Sequence, residues 1–202
     1  MMHRRFVLTA PLVLSACASL LPAQKYTPRT SWPLQLPPPA FPPRASTGPV
    51  LMIRPIAAAP GLDARGLQSL AADGSLRVDY YNLWAVPPAD AVTEALLNWT
   101  QASGMFSAVV TPGTRLDPGL IIEGELTELI ADPGRGEALA TLTLVVIKPS
   151  RALTGVALPL AQARLHATAK LDGNGPAAMV AAQSDAVTAV LVQAMALLTR
   201  FA

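Results

Sequence analysis

Three kinds of side chain in this sequence could do chemistry. Cys17 carries the only thiol in the 202 residues. His166 carries the only imidazole besides His3, which stands ahead of Cys17. Glu123, Glu125 and Glu128 bring three carboxylates close together in the chain. On a strand, Glu123 and Glu125 share a face, the geometry of a carboxylate pair for acid–base work or cation binding. A histidine-containing triad would have to use His166, and a multi-histidine metal site cannot be built from one chain. His166 falls on the polar side of an alternating segment and reads as a surface histidine. The glutamates read as a solvated strand face. Asp132-Pro133-Gly134-Arg135-Gly136 is a turn, because no strand-then-helix context makes it a phosphate loop. The sequence therefore predicts no catalytic residue, no metal site and no cofactor, and a binding or structural role instead of an enzyme.

The thiol has a more specific setting. Arg4 and Arg5 precede an apolar run from Phe6 to Leu14, and Ser15 and Ala16 are small. That is the layout of a secretory signal peptide, too short to span a bilayer. Leu14-Ser15-Ala16-Cys17 resembles the bacterial lipobox. The resemblance implies that residues 1–16 are removed and that Cys17 is joined to diacylglycerol and acylated at its new amino terminus. A plain signal peptide with an incidental cysteine, or a buried N-terminal helix, is the rival. Each buried methylene contributes about 0.8 kcal/mol, so several acyl chains hold firmly. Ala18 and Ser19 follow, in place of the aspartate that retains such proteins at the inner membrane. By resemblance, the destination is the outer membrane, facing the periplasm.

The spent thiol would leave no disulfide and no cysteine ligand. The 15 basic residues less Arg4 and Arg5 equal the 13 acidic ones. With no basic run and no interleaved aromatics, nothing points to a nucleic-acid partner. Apolar residues make 51% of the chain and charged ones 14%, enough for a sizeable core. Residues 17–48 read as a lipidated N-terminus and proline-rich tether, densest in proline from Thr27 to Arg44. Free and extended at about 3.1 Å per residue, the tether would reach on the order of 90–100 Å. It could instead lie along the domain surface.

The domain, 49–202, must supply the scaffold. Pro49 to Ile56, Gly66 to Asp73 and Ser75 to Val86 read as strands. Pro87-Pro88 opens a helix through Ser103, with Val92, Ala95, Leu96 and Trp99 on one face and Gly104 as its stop. A short strand, Met105 to Val110, leads to three longer ones. In the first, Ile122, Leu126 and Ile130 are expected on one side, Glu123 and Glu125 on the other. In the third, Leu165, Ala167, Ala169 and Leu171 alternate with Arg164, His166, Thr168 and Lys170. Pro176 opens a closing helix that is apolar around most of its circumference. Such a helix is buried on several sides or packs on another subunit. Gln183, Asp185 and Gln193 argue against a membrane span. The expected fold is α/β (α+β): a two-layer sandwich, its sheet largely antiparallel, with two helices packed on one face.

The run "VDYYNLWAVPPADAVTEALLNW", the following "SGMFSAVV", the segment Ile122-Glu123-Gly124-Glu125-Leu126 and the Ala-rich closing helix form a set. Together they resemble the ABC-type transport auxiliary lipoproteins, the PqiC-like family, over residues 49–202. The resemblance implies a non-catalytic outer-membrane accessory to an MCE-domain lipid transport system, whose permease and ATPase supply the energy. It makes Tyr80, Tyr81 and Trp84 candidate partner contacts, since aromatics concentrate interface energy. By analogy with ring-forming lipoproteins, a homo-oligomer is a further expectation. The alternative is a structural lipoprotein subunit of an outer-membrane assembly or secretion complex.

Overall fold

The computed structural model describes residues 26–44, 46–150 and 155–202. In chain order the elements are β1 (Thr30–Trp32), β2 (Gly48–Ile53), β3 (Ala57–Ala58), β4 (Gly66–Leu70) and β5 (Leu76–Trp84). Then come α1 (Pro88–Ser103), β6 (Phe106–Val110), β7 (Leu120–Asp132), β8 (Glu137–Lys148), β9 (Leu158–Lys170) and α2 (Pro176–Leu198). A 3-10 turn, Thr199–Phe201, follows.

The alternating residues of β7, β8 and β9 build an antiparallel meander. Asp132 starts its first turn by accepting the Arg135 amide, and Gly136 completes it with a positive φ of 68°. One face of β7 and β8, including Leu120, Ile122, Leu126, Leu142, Leu144 and Val146, is buried. The period breaks once. A register shift between Leu126 and Glu128 puts an extra residue into β7. Beyond it the inward residues are Leu129 and Ala131, not the expected Ile130. A bulge of one residue reverses every later side chain.

The rest of the sheet corrects the expectation of a largely antiparallel arrangement. Among the described residues nine strands form one mixed sheet. β8 lies along one side of β7. The other side is taken in series by β2, β3 and β4, all parallel to β7. Three short strands of one continuous chain path thus share a single long partner. The crossover containing α1 then returns the chain as β6, parallel to β2. β5 pairs antiparallel with β4, and β1 pairs parallel with β5.

Both helices join the sheet in one apolar cluster. Pro88 occupies the first turn of α1, and Gly104 ends it in the left-handed region with φ of 61°. Thr93 ties α1 down: its hydroxyl donates to the Ala89 carbonyl and accepts the Ile56 amide at 2.9 Å. In α2, Ala182, Ala186, Val187, Val190, Leu191, Ala194 and Leu198 are all buried. The helix is long and apolar enough to cross a membrane by length and composition. Here it packs on β8 and β9. Gln183 lies in the core, where its side-chain amide donates to the Gln68 carbonyl at 2.9 Å.

The described part of the proline-rich segment lies along the domain. β1 forms a three-residue ladder on β5, extended by the Ala85 amide donating to the Trp32 carbonyl at 2.7 Å. Leu36 is buried, and its carbonyl accepts the Trp99 indole N–H at 2.9 Å. Phe41 packs against the core from the same segment. Proline fixes the backbone without donating, so side chains and carbonyls make most of this strap's contacts.

Candidate functional site

The residues singled out from the sequence fall into two sets in space: the aromatic residues of β5, and the polar face of the meander.

The aromatic set sits on a corner. β4 and β5 pair regularly from Leu70↔Leu76 to Gln68↔Val78, and then β5 bulges before pairing resumes at Gly66↔Leu83. Asp79 holds the bulge. Its carboxylate accepts the amides of Tyr81 and Asn82, at 2.8 and 3.0 Å, and the Asn82 side-chain amide at 2.9 Å. The Asn82 side-chain oxygen accepts the Trp32 indole N–H at 3.1 Å, which joins the corner to the strap. Gly66 lets the strands close: a Cβ there would stand 2.5 Å from a Val78 methyl and 2.7 Å from the Asp79 carbonyl oxygen.

The corner presents Tyr80, 64% exposed, and Tyr81, 45% exposed. Their rings meet edge to face with centroids 5.2 Å apart, and the Arg29 guanidinium lies 3.9 Å from the Tyr80 centroid. Leu76 and Val78 are exposed on the same strand. Trp84 differs from the expectation of a contact residue. It is 2% exposed and belongs to the core, because pairing with β4 has resumed and turns its side chain inward. Trp84 can support the corner by packing, but it presents no surface to a partner.

Burial of the Asp79 carboxyl works against its charge. The hydrogen bonds from Asn82 and Tyr81 outweigh it and hold the group below the ordinary carboxylate range. A lowered folded value stabilises the corner above the unfolded value, and that contribution is lost as pH falls through the folded one. Asp79→Ala is expected to cost about 1 kcal/mol locally at neutral pH. The check is amide exchange at Tyr81 and Asn82, which should speed up in the variant. The gap from wild type should close in strong acid. Equal exchange at neutral pH would remove Asp79 as the clamp.

The meander's outer face carries the glutamates and His166. Glu123 pairs with Arg54 at 2.6 Å in an exposed ion pair. Such pairs are worth about 0–1 kcal/mol. Thr141 donates to Glu128 at 2.8 Å and lies 3.0 Å from His166 Nδ1. With its one proton given to Glu128, the Thr141 oxygen accepts from Nδ1–H. These three residues link three strands, but Thr141 is fully buried and cannot reach a substrate as a nucleophile. Among the described residues no group of three or more His, Cys, Asp or Glu could hold a metal ion. Two open grooves, of about 480 and 580 Å³, each present one charged side chain, Glu94 and Lys148 respectively. Neither groove brings an acid–base pair together. Cys17 lies outside the described residues.

The fold has relatives among solved structures. A protein from Xanthomonas campestris, assigned to family DUF330, superposes with a TM-score of 0.72 at 17% identity, covering 85% of this chain and 96% of that one. An uncharacterized protein matches with a TM-score of 0.59 at 17% identity, covering 85% and 98% respectively. A hypothetical protein of Chlamydia trachomatis matches with a TM-score of 0.51 at 9% identity, covering 77% and 98%. No curated protein matches the chain. The profile of one protein family matches residues 33–196, from within the strap to the last turns of α2. The chain belongs to the family of ABC-type transport auxiliary lipoprotein components.

Proposed function

We propose that this protein is an outer-membrane lipoprotein, anchored through acylated Cys17 and facing the periplasm. In this reading it is the non-catalytic accessory component of an MCE-domain, ABC-type lipid transport system. The family match over residues 33–196 carries the proposal, since it takes in most of the strap, strands β2 to β9 and nearly all of both helices. The lipobox-like Leu14-Ser15-Ala16-Cys17 supports the anchor. The exposed Tyr80–Tyr81 corner gives the anchored domain a surface for contact with the envelope. Self-association belongs to the same reading and would use the meander's outer face or the exposed ridge of α2.

The test is purification of the tagged full chain from membranes in mild detergent. An MCE-domain protein and its permease are expected in the eluate. Labelled palmitate should enter the wild type and be lost in Cys17→Ser. Recovery of secretion-channel or envelope-assembly proteins alone would overturn the transport reading in favour of a structural subunit.

A further inference from the structure

The strap fixes where the anchored end of the chain meets the domain. β1 runs parallel to β5, with Thr30 opposite Asn82 and Trp32 opposite Trp84. Its N-terminal end therefore lies at the Tyr80–Tyr81 end of β5, where Arg29 stacks on Tyr80. Twelve steps along the chain lead from Cys17 to Arg29, the residue held on Tyr80. At no more than about 3.6 Å per residue they span about 40 Å at full stretch. A domain of this size is roughly 40 Å across. A tether that even at full stretch only matches the domain's width favours the corner on the side of the anchor.

The surface placed there suits a lipid interface. Tyr26, Leu76, Val78, Tyr80 and Tyr81 are all exposed. Tyrosine pairs an apolar ring with a polar tip and settles at headgroup depth. Arg29 and Arg77 add cations, set against Asp73 and Asp79. Asp79 spends its oxygens on the corner's own hydrogen bonds, and Asp73 on Ser75. Arg29 stacks on Tyr80 and Arg77 acts on the Asp73 charge, so these four charges balance and the tyrosine and apolar surface carries the contact.

We infer that the Tyr80–Tyr81 corner docks on the phospholipid headgroup layer of the membrane that holds the Cys17 anchor, turning the opposite end of the domain toward the periplasm. The inference rests on the proposed acylation of Cys17. It adds an orientation to the anchor.

The test uses the full lipidated chain in vesicles of phosphatidylethanolamine and phosphatidylglycerol. A nitroxide is attached at Val78→Cys, or at Leu76→Cys should the first variant fold poorly, and at Val192→Cys on α2 as a distant exposed reference. Accessibility to oxygen is compared with accessibility to a water-soluble relaxing agent. The β5 label is expected to favour oxygen severalfold over the Val192 label. Adding Tyr80→Ser and Tyr81→Ser should erase that difference. Equal values at β5 and α2, in a chain whose mass shows acylation, would overturn the inference alone. A mass without acyl chains would overturn the anchor and the inference together. Shielding of β5 that appears only on adding a copurified protein would assign the corner to that protein and overturn the lipid contact.

Discussion

Trp99→Ala is expected to cost about 3–5 kcal/mol and to loosen the N-terminal strap in the same step. Trp99 is buried in the cluster shared by α1 and the sheet. Its removal leaves a cavity that the neighbouring strands, fixed by their ladders, fill only in part. Its indole N–H also holds the Leu36 carbonyl, so the strap loses a partner made in the core. Trp99→Phe separates the two effects: it keeps most of the bulk and gives up the hydrogen bond, at about 1–2 kcal/mol. Urea unfolding gives the stability change. Trypsin under native conditions reports the strap, through cleavage at Arg29 and Arg44. Both variants should be cut faster there than the wild type. A destabilised Trp99→Ala protein with wild-type cleavage would show that the strap holds without Trp99.

Gly124→Ala should destabilise the fold by about 1–3 kcal/mol, although it adds a single methyl group. A Cβ at Gly124 would stand 2.6 Å from the Thr143 carbonyl oxygen and from a Leu144 methyl, and 3.0 Å from a methyl of Ile56. The carbonyl belongs to the β7–β8 ladder, where Glu125 faces Thr143, so it cannot withdraw without breaking the pairing. Ile56 could give way only by moving off the core. For a protein of this length, a loss of 1 kcal/mol lowers the melting temperature by roughly 2–4 °C. A melt within a degree of the wild type would mean that the sheet yields here. The glycine of the Ile122-Glu123-Gly124-Glu125-Leu126 segment is thus explained by close packing against β8 and Ile56.

The sequence is legible wherever a regular period meets a clear break. Pro87-Pro88 and Gly104 bracket α1, and the alternation at Leu165, Ala167 and Ala169 marks β9. Pairing is less legible, because period shows which residues face inward but not which strand lies alongside. β2, β3 and β4 become parallel partners of β7 through a path set by tertiary packing. Ile130 departs from the alternation because the extra residue near Thr127 leaves no mark in hydrophobicity. At the corner, the tyrosines are visible as aromatics, but Trp84 is indistinguishable from them until the bulge separates exposed from buried positions. The signal that could have found the bulge is Asp79-Tyr80-Tyr81-Asn82: an Asp that accepts amides two and three residues on is turn chemistry within a strand. The strap is hidden by its prolines, which suggest a spacer while Leu36 and Phe41 supply the apolar grip.

The pairing of β1 with β5 also has a mechanical meaning. Tension arriving from the N-terminal side, along the strand axis, pulls β1 lengthwise past β5. Its backbone bonds are then loaded together in shear, whereas a perpendicular pull would unzip them one at a time. Behind them, Leu36 and Phe41 act as a second catch further along the chain. Force on the chain is thereby spread over the sheet edge and the core before it can reach β2.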